Sequence, residues 1–284
     1  MDDQDRDPLD VMSRPVSRRG ALALLGGLGL AAAGCSGGGD SNDATARTRA
    51  TTSTTGGSST ATTTTGSAAA TVSDCSQIPE ETAGPFPGDG SNGPDALREN
   101  GVVRNDIRSS FDGAHGTAEG VPYTIQFTVV DISSGCKPLT NGAVYVWHCD
   151  REGNYSMYQN GADANYLRGV QAVDHNGVVT FTSIFPACYA GRWPHVHFEV
   201  YPSVDAATSG DTKLATSQIA LPKDVCDAVY ATSGYEQSAT NLSRVSLATD
   251  MVFSDGVWCD TPSMTGNTSS GYVSSLVVGV AGAV

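Results

Sequence analysis

The sequence predicts an all-β fold, an antiparallel β-sandwich over residues 75–284, preceded by a signal segment and a disordered linker. Three observations predict it. Short stretches alternate apolar and polar residues with period two, the signature of half-buried strands. Clusters of Gly, Asn, Asp and Pro separate them at the spacing typical of a sandwich. No long stretch keeps a 3.6-residue period, so helices are expected to be few and short.

The first element is an export signal, residues 1–35. Arg14, Arg18 and Arg19 precede an apolar run from Ala21 to Gly34, a basic region followed by a hydrophobic one. That run is shorter than the roughly 20 apolar residues a membrane-spanning helix needs. Ser17-Arg18-Arg19-Gly20-Ala21-Leu22 resembles a twin-arginine signal. Ala32-Ala33-Gly34-Cys35 resembles a lipoprotein cleavage box, with Ala32 where leucine is usual. The expectation is an extracytoplasmic protein held to the membrane by a lipid on Cys35. Residues 36–74 follow, built of Ser, Thr, Gly and Ala with runs such as Thr62-Thr63-Thr64-Thr65. Such a segment buries too little apolar surface to offset the entropy of ordering and reads as a flexible tether.

Within residues 75–284, strands are expected at Tyr123–Asp131, Ala143–Trp147, Gly177–Thr182, Val196–Tyr201 and Tyr272–Val278, with a short helix at Lys223–Tyr230. Six cysteines lie here: Cys75, Cys136, Cys149, Cys188, Cys226 and Cys259. An even set in an exported chain reads as disulfides, with connectivity undetermined. The chain carries 30 Asp+Glu against 16 Lys+Arg, a net charge of −14. That balance disfavours nucleic acid as a partner, since phosphate binding needs a basic footprint.

The chemistry concentrates between Trp147 and His197. His195-Val196-His197 lies on an expected strand, where residues i and i+2 share a face and can reach one metal ion. Alone this spacing is weak. Tyr155 closes the run Trp147-His148-Cys149-Asp150-Arg151-Glu152-Gly153-Asn154-Tyr155, and Tyr189 and Arg192 lie just upstream of the histidines. The ordered set continues through Leu167-Arg168-Gly169, Asp174, Gly177 and Phe181-Thr182 to Pro186, with Glu81-Thr82-Ala83-Gly84-Pro85-Phe86 and Val103-Arg104-Asn105-Asp106-Ile107 upstream. Together these motifs resemble the intradiol ring-cleavage dioxygenases over most of residues 75–284. The resemblance is to the exported, single-domain branch, without the helical N-terminal dimerisation region of the catechol-cleaving branch.

That resemblance implies a β-sandwich holding non-haem Fe(3+) through Tyr155, Tyr189, His195 and His197. It implies cleavage of a catechol-type ring between its hydroxyls by O2, giving a cis,cis-muconate-type diacid. Arg192 and Tyr189 would act in catalysis, with Gln218 beside Arg192. Ala187 and Cys188 stand where the family has Gly and another residue, so the turn carrying Tyr189 is expected to be pinned differently. Arg104 and Arg168 are expected to be structural, paired with acids such as Asp106 or Asp174.

Elementary chemistry agrees with this donor set. A hard trivalent ion favours phenolate oxygen with imidazole nitrogen over thiolate. Two tyrosinates and a hydroxide cancel its charge, as do one tyrosinate and a catecholate dianion, so substrate exchange buries no net charge. Two other readings remain: an exported binding module or degenerate dioxygenase without iron, and a zinc or copper site of the histidines with a carboxylate, which would leave both tyrosines unexplained. Neither the particular catechol nor the oligomeric state is written in these motifs.

Overall fold

The computed structural model describes residues 75–210 and 212–282. The expected twin-arginine signal, Cys35 and the expected linker of residues 36–74 lie outside the described residues. Among the described residues nine strands and three short helices follow one another: β1 Pro122–Asp131, β2 Lys137–Pro138, β3 Ala143–Trp147, β4 Arg168–Ala172, β5 Val178–Ile184, β6 His195–Tyr201, α1 Val204–Ser209, β7 Ala215–Ala220, α2 Lys223–Tyr230, α3 Glu236–Leu242, β8 Ser263–Asn267 and β9 Gly271–Val280.

The strands form two sheets. One has the order β4-β3-β6-β7; in the other β9 lies between β1 and β8, and β5 and β2 pair with β1. All pairings are antiparallel except β1 with β9, which run parallel from Tyr123↔Tyr272 to Asp131↔Val280. The expected antiparallel sandwich is therefore present with one parallel pair, made where the last strand returns to the first.

Period-two alternation explains which residues face inward. Ile125, Phe127 and Val129 of β1, Val179 and Phe181 of β5, and Leu276 and Val278 of β9 meet Val144 and Val146 of β3 and Val196, Phe198 and Val200 of β6 in one core. Phe127 and Phe198 touch across the sheets at 4.8 Å between ring centroids. Each such side chain contributes roughly 1.5–3 kcal/mol of burial.

The opposite face of the β4-β3-β6-β7 sheet is not open to water. Ala143, Tyr145 and Trp147 of β3, Val170 of β4 and Tyr201 of β6 pack there against Leu97, Val102, Tyr155, Ala187, Ala206 and Ala207. Residues before β1, the β3–β4 connection and α1 thus roof this face. In consequence β3 and β6 are buried along their whole lengths, and polar groups of β6 on the roofed side are secluded.

The expectation that all six cysteines pair does not hold. Cys75 and Cys136 form a disulfide across a separation of 61 residues. Cys149, Cys188, Cys226 and Cys259 are free thiols. Cys149 donates to the Ala187 carbonyl at 3.7 Å, Cys188 to Arg192 at 3.5 Å and Cys226 to Leu221 at 3.9 Å. Each is therefore a buried, satisfied small side chain, and burial pushes the Cys188 thiol up to about 12.

Candidate metal centre

The register of β6 assembles the site. His195 and His197 project to the roofed face; His197 stands opposite Trp147 on β3 and Gln218 on β7, and His195 opposite Ala220. Trp147 lies parallel to the His197 ring at 4.9 Å, with Tyr145 stacked on Trp147 at 5.0 Å. This column fixes the plane of His197.

Two loops bring the tyrosines. After β3, Asp150 accepts hydrogen bonds from the amides of Glu152 and Asn154 at 3.0 and 2.8 Å, closing a tight turn that aims Tyr155 inward. Gly153 in this turn has φ +93°, and a Cβ there would meet Tyr189 Cβ at 3.2 Å. After β5, the strap Pro186-Ala187-Cys188 carries Tyr189. The Ala187 amide donates to the Asp150 carbonyl at 3.1 Å. The Cys188 amide donates to Ser238 Oγ at 3.0 Å, and Asn241 Nδ2 donates to the Cys188 carbonyl at 2.8 Å. Side chains of α3 therefore pin this turn.

All four candidate ligands converge. His195 Nε2 lies 3.2 Å from Tyr155 Oη, 3.1 Å from Tyr189 Oη and 3.1 Å from His197 Nε2. His195 Nδ1 sits 2.6 Å from the Trp193 carbonyl, so Nδ1 carries the proton and Nε2 the lone pair. A single lone pair cannot satisfy three polar neighbours. A cation held among these atoms would take a lone pair from each and so resolve the crowding. The residues fit a hard cation with oxygen and nitrogen ligands. Among the described residues no cluster of three or more His, Cys, Asp and Glu is placed to hold a metal; no carboxylate joins these histidines.

Seclusion sets the electrostatics. Burial, then Arg192, lowers His195 to about 3; burial and the His195 charge take His197 well below its ordinary range. Burial raises Tyr189 to about 12 and takes Tyr155 well above its ordinary range, while Arg192 pulls both down. The imidazoles are thus neutral donors, and the phenols need a strong nearby cation to ionise at neutral pH.

Arg192 is that chain's own fixed cation. Burial opposes its charge, but Tyr189 and Asp250 outweigh burial and hold it protonated. Nη2 donates to Gln218 Oε1 at 2.8 Å, and Gln218 Nε2 donates to the Thr82 carbonyl at 2.8 Å. Gln218 therefore stands beside Arg192, and the Glu81–Phe86 segment roofs the site. Gly84 in it has φ +70°, and a Cβ there would meet His197 Cε1 at 3.2 Å; Phe86 packs on Tyr155 at 5.1 Å.

Two expected pairings are corrected. Arg168 does not pair with Asp174: buried, it donates to the carbonyls of Pro87, Phe86 and Ser156 at 2.7–2.9 Å, to Ser156 Oγ and to Tyr145 Oη. Asp174 instead caps a turn through the amides of Asn176 and Val178. Arg104 feels the Asp106 charge but donates to the carbonyls of Arg168 and Ser109 and lies over Phe111 at 4.2 Å. Asp106 binds Arg108 at 2.6 Å. Both arginines are structural, as expected, because each satisfies carbonyls of the roof.

Sequence reading missed one residue of this neighbourhood. Asp250 accepts from Arg192 Nε at 2.9 Å across a separation of 58 residues, and no local pattern around it signals that contact.

Comparison with known proteins places this geometry in context. A family model described as dioxygenase matches residues 92–230, a span holding Tyr155, Tyr189, Arg192, His195, His197 and Gln218. The structure is similar to that of an intradiol ring-cleavage dioxygenase from Tetranychus urticae, with TM-score 0.57, 24% identity, and coverage of 72% of this chain and 95% of that one. A second dioxygenase crystal structure matches with TM-score 0.56 at 23% identity, covering 72% and 94%. The dioxygenase domain of a carbohydrate-binding protein fusion from Streptomyces sp. SirexAA-E aligns with TM-score 0.46 at 20% identity, covering 72% and 97%. No curated protein sequence matches the chain.

Proposed function

For a chain that belongs to the intradiol ring-cleavage dioxygenases, we propose an iron(III) enzyme that opens a catechol-type ring between its hydroxyls, with O2 as co-substrate and a cis,cis-muconate-type diacid as product. The observation that carries this reading is the meeting of two phenol oxygens and the His197 imidazole nitrogen around His195 Nε2 at 3.1–3.2 Å. Tyr155, Tyr189, His195 and His197 would hold the metal. Iron(III), when bound, supplies the Lewis acidity that favours tyrosinate and catecholate and makes the chelated ring reactive toward dioxygen.

The chain's own groups divide the remaining work. Tyr189 is only half-buried whereas Tyr155 is enclosed, so Tyr189 Oη is the phenol oxygen able to take a proton from an arriving substrate hydroxyl. Tyr155, packed under Phe86, keeps its place. Arg192, with Nε and Nη2 engaged by Asp250 and Gln218, presents a fixed positive charge to the two phenols and stabilises negative charge developing on substrate. The Trp147 stack and the Trp193 carbonyl orient the two imidazoles. The roof of residues 81–86 limits water at the site.

From the N-terminal motifs alone we also propose that the protein lies outside the cytoplasm, exported through Arg18 and Arg19 and anchored by a lipid on Cys35.

The test is product chemistry. Iron-loaded protein incubated with a catechol panel under 18O2 should yield a ring-opened diacid carrying two heavy oxygens. His197→Ala, which removes a neutral donor, should abolish both iron retention and product. An iron-loaded protein that consumes none of the catechols offered, or that incorporates no heavy oxygen, would overturn the proposal.

A further inference from the structure

Arg192 is buried, and a buried guanidinium acts electrostatically only if something fixes its position. Gln218 holds one edge. The other is held by Asp250, fully buried, whose four acceptor contacts all go to N–H groups. Oδ2 takes Arg192 Nε at 2.9 Å and the Trp193 amide at 2.7 Å. Oδ1 takes the amides of Val252 and Phe253 at 2.8 and 3.1 Å. The second pair locks the carboxylate to its own turn; the first pair locks Arg192 to the strand entry. The Trp193 carbonyl, one peptide on, is the group that accepts from His195 Nδ1. Phe253, from the same turn, also faces the guanidinium at 5.9 Å.

We propose that Asp250 is the positioning residue for Arg192, clamping its guanidinium and the following amide so that the charge stays registered against the tyrosine and histidine donors. The proposal rests on the catalytic reading above. Asp250 lies outside residues 92–230, the span matched by the family model, so the segment after α3 adds a contact to a site whose four candidate ligands, Arg192 and Gln218 lie within that span. A carboxylate suits the role because it offers two oxygens, each able to take two N–H groups, and compensates the buried charge.

Asp250→Asn tests this with little change of shape. Asparagine has one acceptor oxygen, so its NH2 must face two of the four donors and break either the Arg192 pair or the turn pair. In iron-loaded enzyme, iron per chain should stay at the wild-type level while kcat falls at least tenfold and KM moves less than threefold. In an Arg192→Ala background the same substitution should change kcat less than twofold, because the partner it positions is gone. A full tenfold loss in that background would overturn the proposal. Hydrogen exchange of the peptide covering residues 190–194 should speed at least tenfold in Asp250→Ala, which removes both pairs, and unchanged exchange would equally overturn it. That arm needs no turnover: a wild type without iron or activity would sink the function proposed above and leave the clamp decided by exchange. If Asp250→Asn does not fold, Arg192→Lys carries the test, keeping the charge but losing the Nε contact. Its kcat should fall to near that of Arg192→Ala, and wild-type kcat would refute the clamp.

Discussion

Asp260 is a buried carboxylate whose two oxygens have no hydrogen-bond partner among the described residues. Burial first, and then the charges of Glu81 and Asp255, raise it to about 7. Its backbone carbonyl accepts from Ala220, the cross-strand neighbour of His195, so it tethers the end of β7 beside the site. An unfolded aspartate titrates near 3.9, so well below pH 4 both states are protonated and Asp260 adds no pH dependence. Between about pH 4 and pH 7 the unfolded chain releases this proton and the folded chain keeps it, so stability falls as pH rises. Some three units at about 1.4 kcal/mol each give a loss on the order of 4 kcal/mol, complete by about pH 8. Asp260→Asn removes the titration and keeps the shape. Its stability in urea relative to wild type should rise by several kcal/mol between pH 3 and pH 8. A difference between the two proteins that stays constant from pH 3 to pH 8 would rule out this titration.

Three further outcomes follow from the same structure. Gly84→Ala should weaken iron retention and lower stability by about 1–2 kcal/mol, since its positive φ disfavours any Cβ and that atom would press on His197; iron titration and melting read both. Replacing Cys75 and Cys136 together with Ser should cost about 4 kcal/mol through the entropy of the loop they close, measured by urea unfolding with and without reductant. Replacing Arg18 and Arg19 with Lys should strand the precursor in the cytoplasm, and Cys35→Ala should release the exported protein from membranes; fractionation reads both, and normal export of the first variant would contradict the signal.

The strands with a clear two-residue period were legible because burial alone shaped them: β1 alternates along most of its length, and its predicted limits lie within a residue of those observed. β3 and β6 were legible too, as β-rich runs, although both their faces are buried. β4 escaped because Arg168 opens it, a residue that looks like surface until the carbonyls of Phe86 and Pro87 enclose it. β7, Ala215–Ala220, escaped because Thr, Ser and Gln serve the roofed face of a strand without marking it as one. The His195–His197 pair and both tyrosines could be read from spacing and resemblance, since local turns deliver them. Asp250 could not, because only the tertiary fold brings it to Arg192. The cysteine count misled for a related reason: an even number says nothing about which thiols face a carbonyl in the core.

The central claim is that tyrosinates bind iron(III) here, and its most direct measurement is a visible absorption spectrum. Filled phenolate orbitals lie close to vacant levels of the ion, so light moves charge between them. Protein loaded aerobically with iron should be red to purple; Tyr155→Phe and Tyr189→Phe should each change the band. Adding a catechol without oxygen should shift it to longer wavelength, because a catecholate gives up electrons more readily than a phenolate. Admitting oxygen should restore the first spectrum as diacid forms. A fully iron-loaded protein that is colourless, or whose spectrum ignores every catechol tried, would contradict the tyrosinate site.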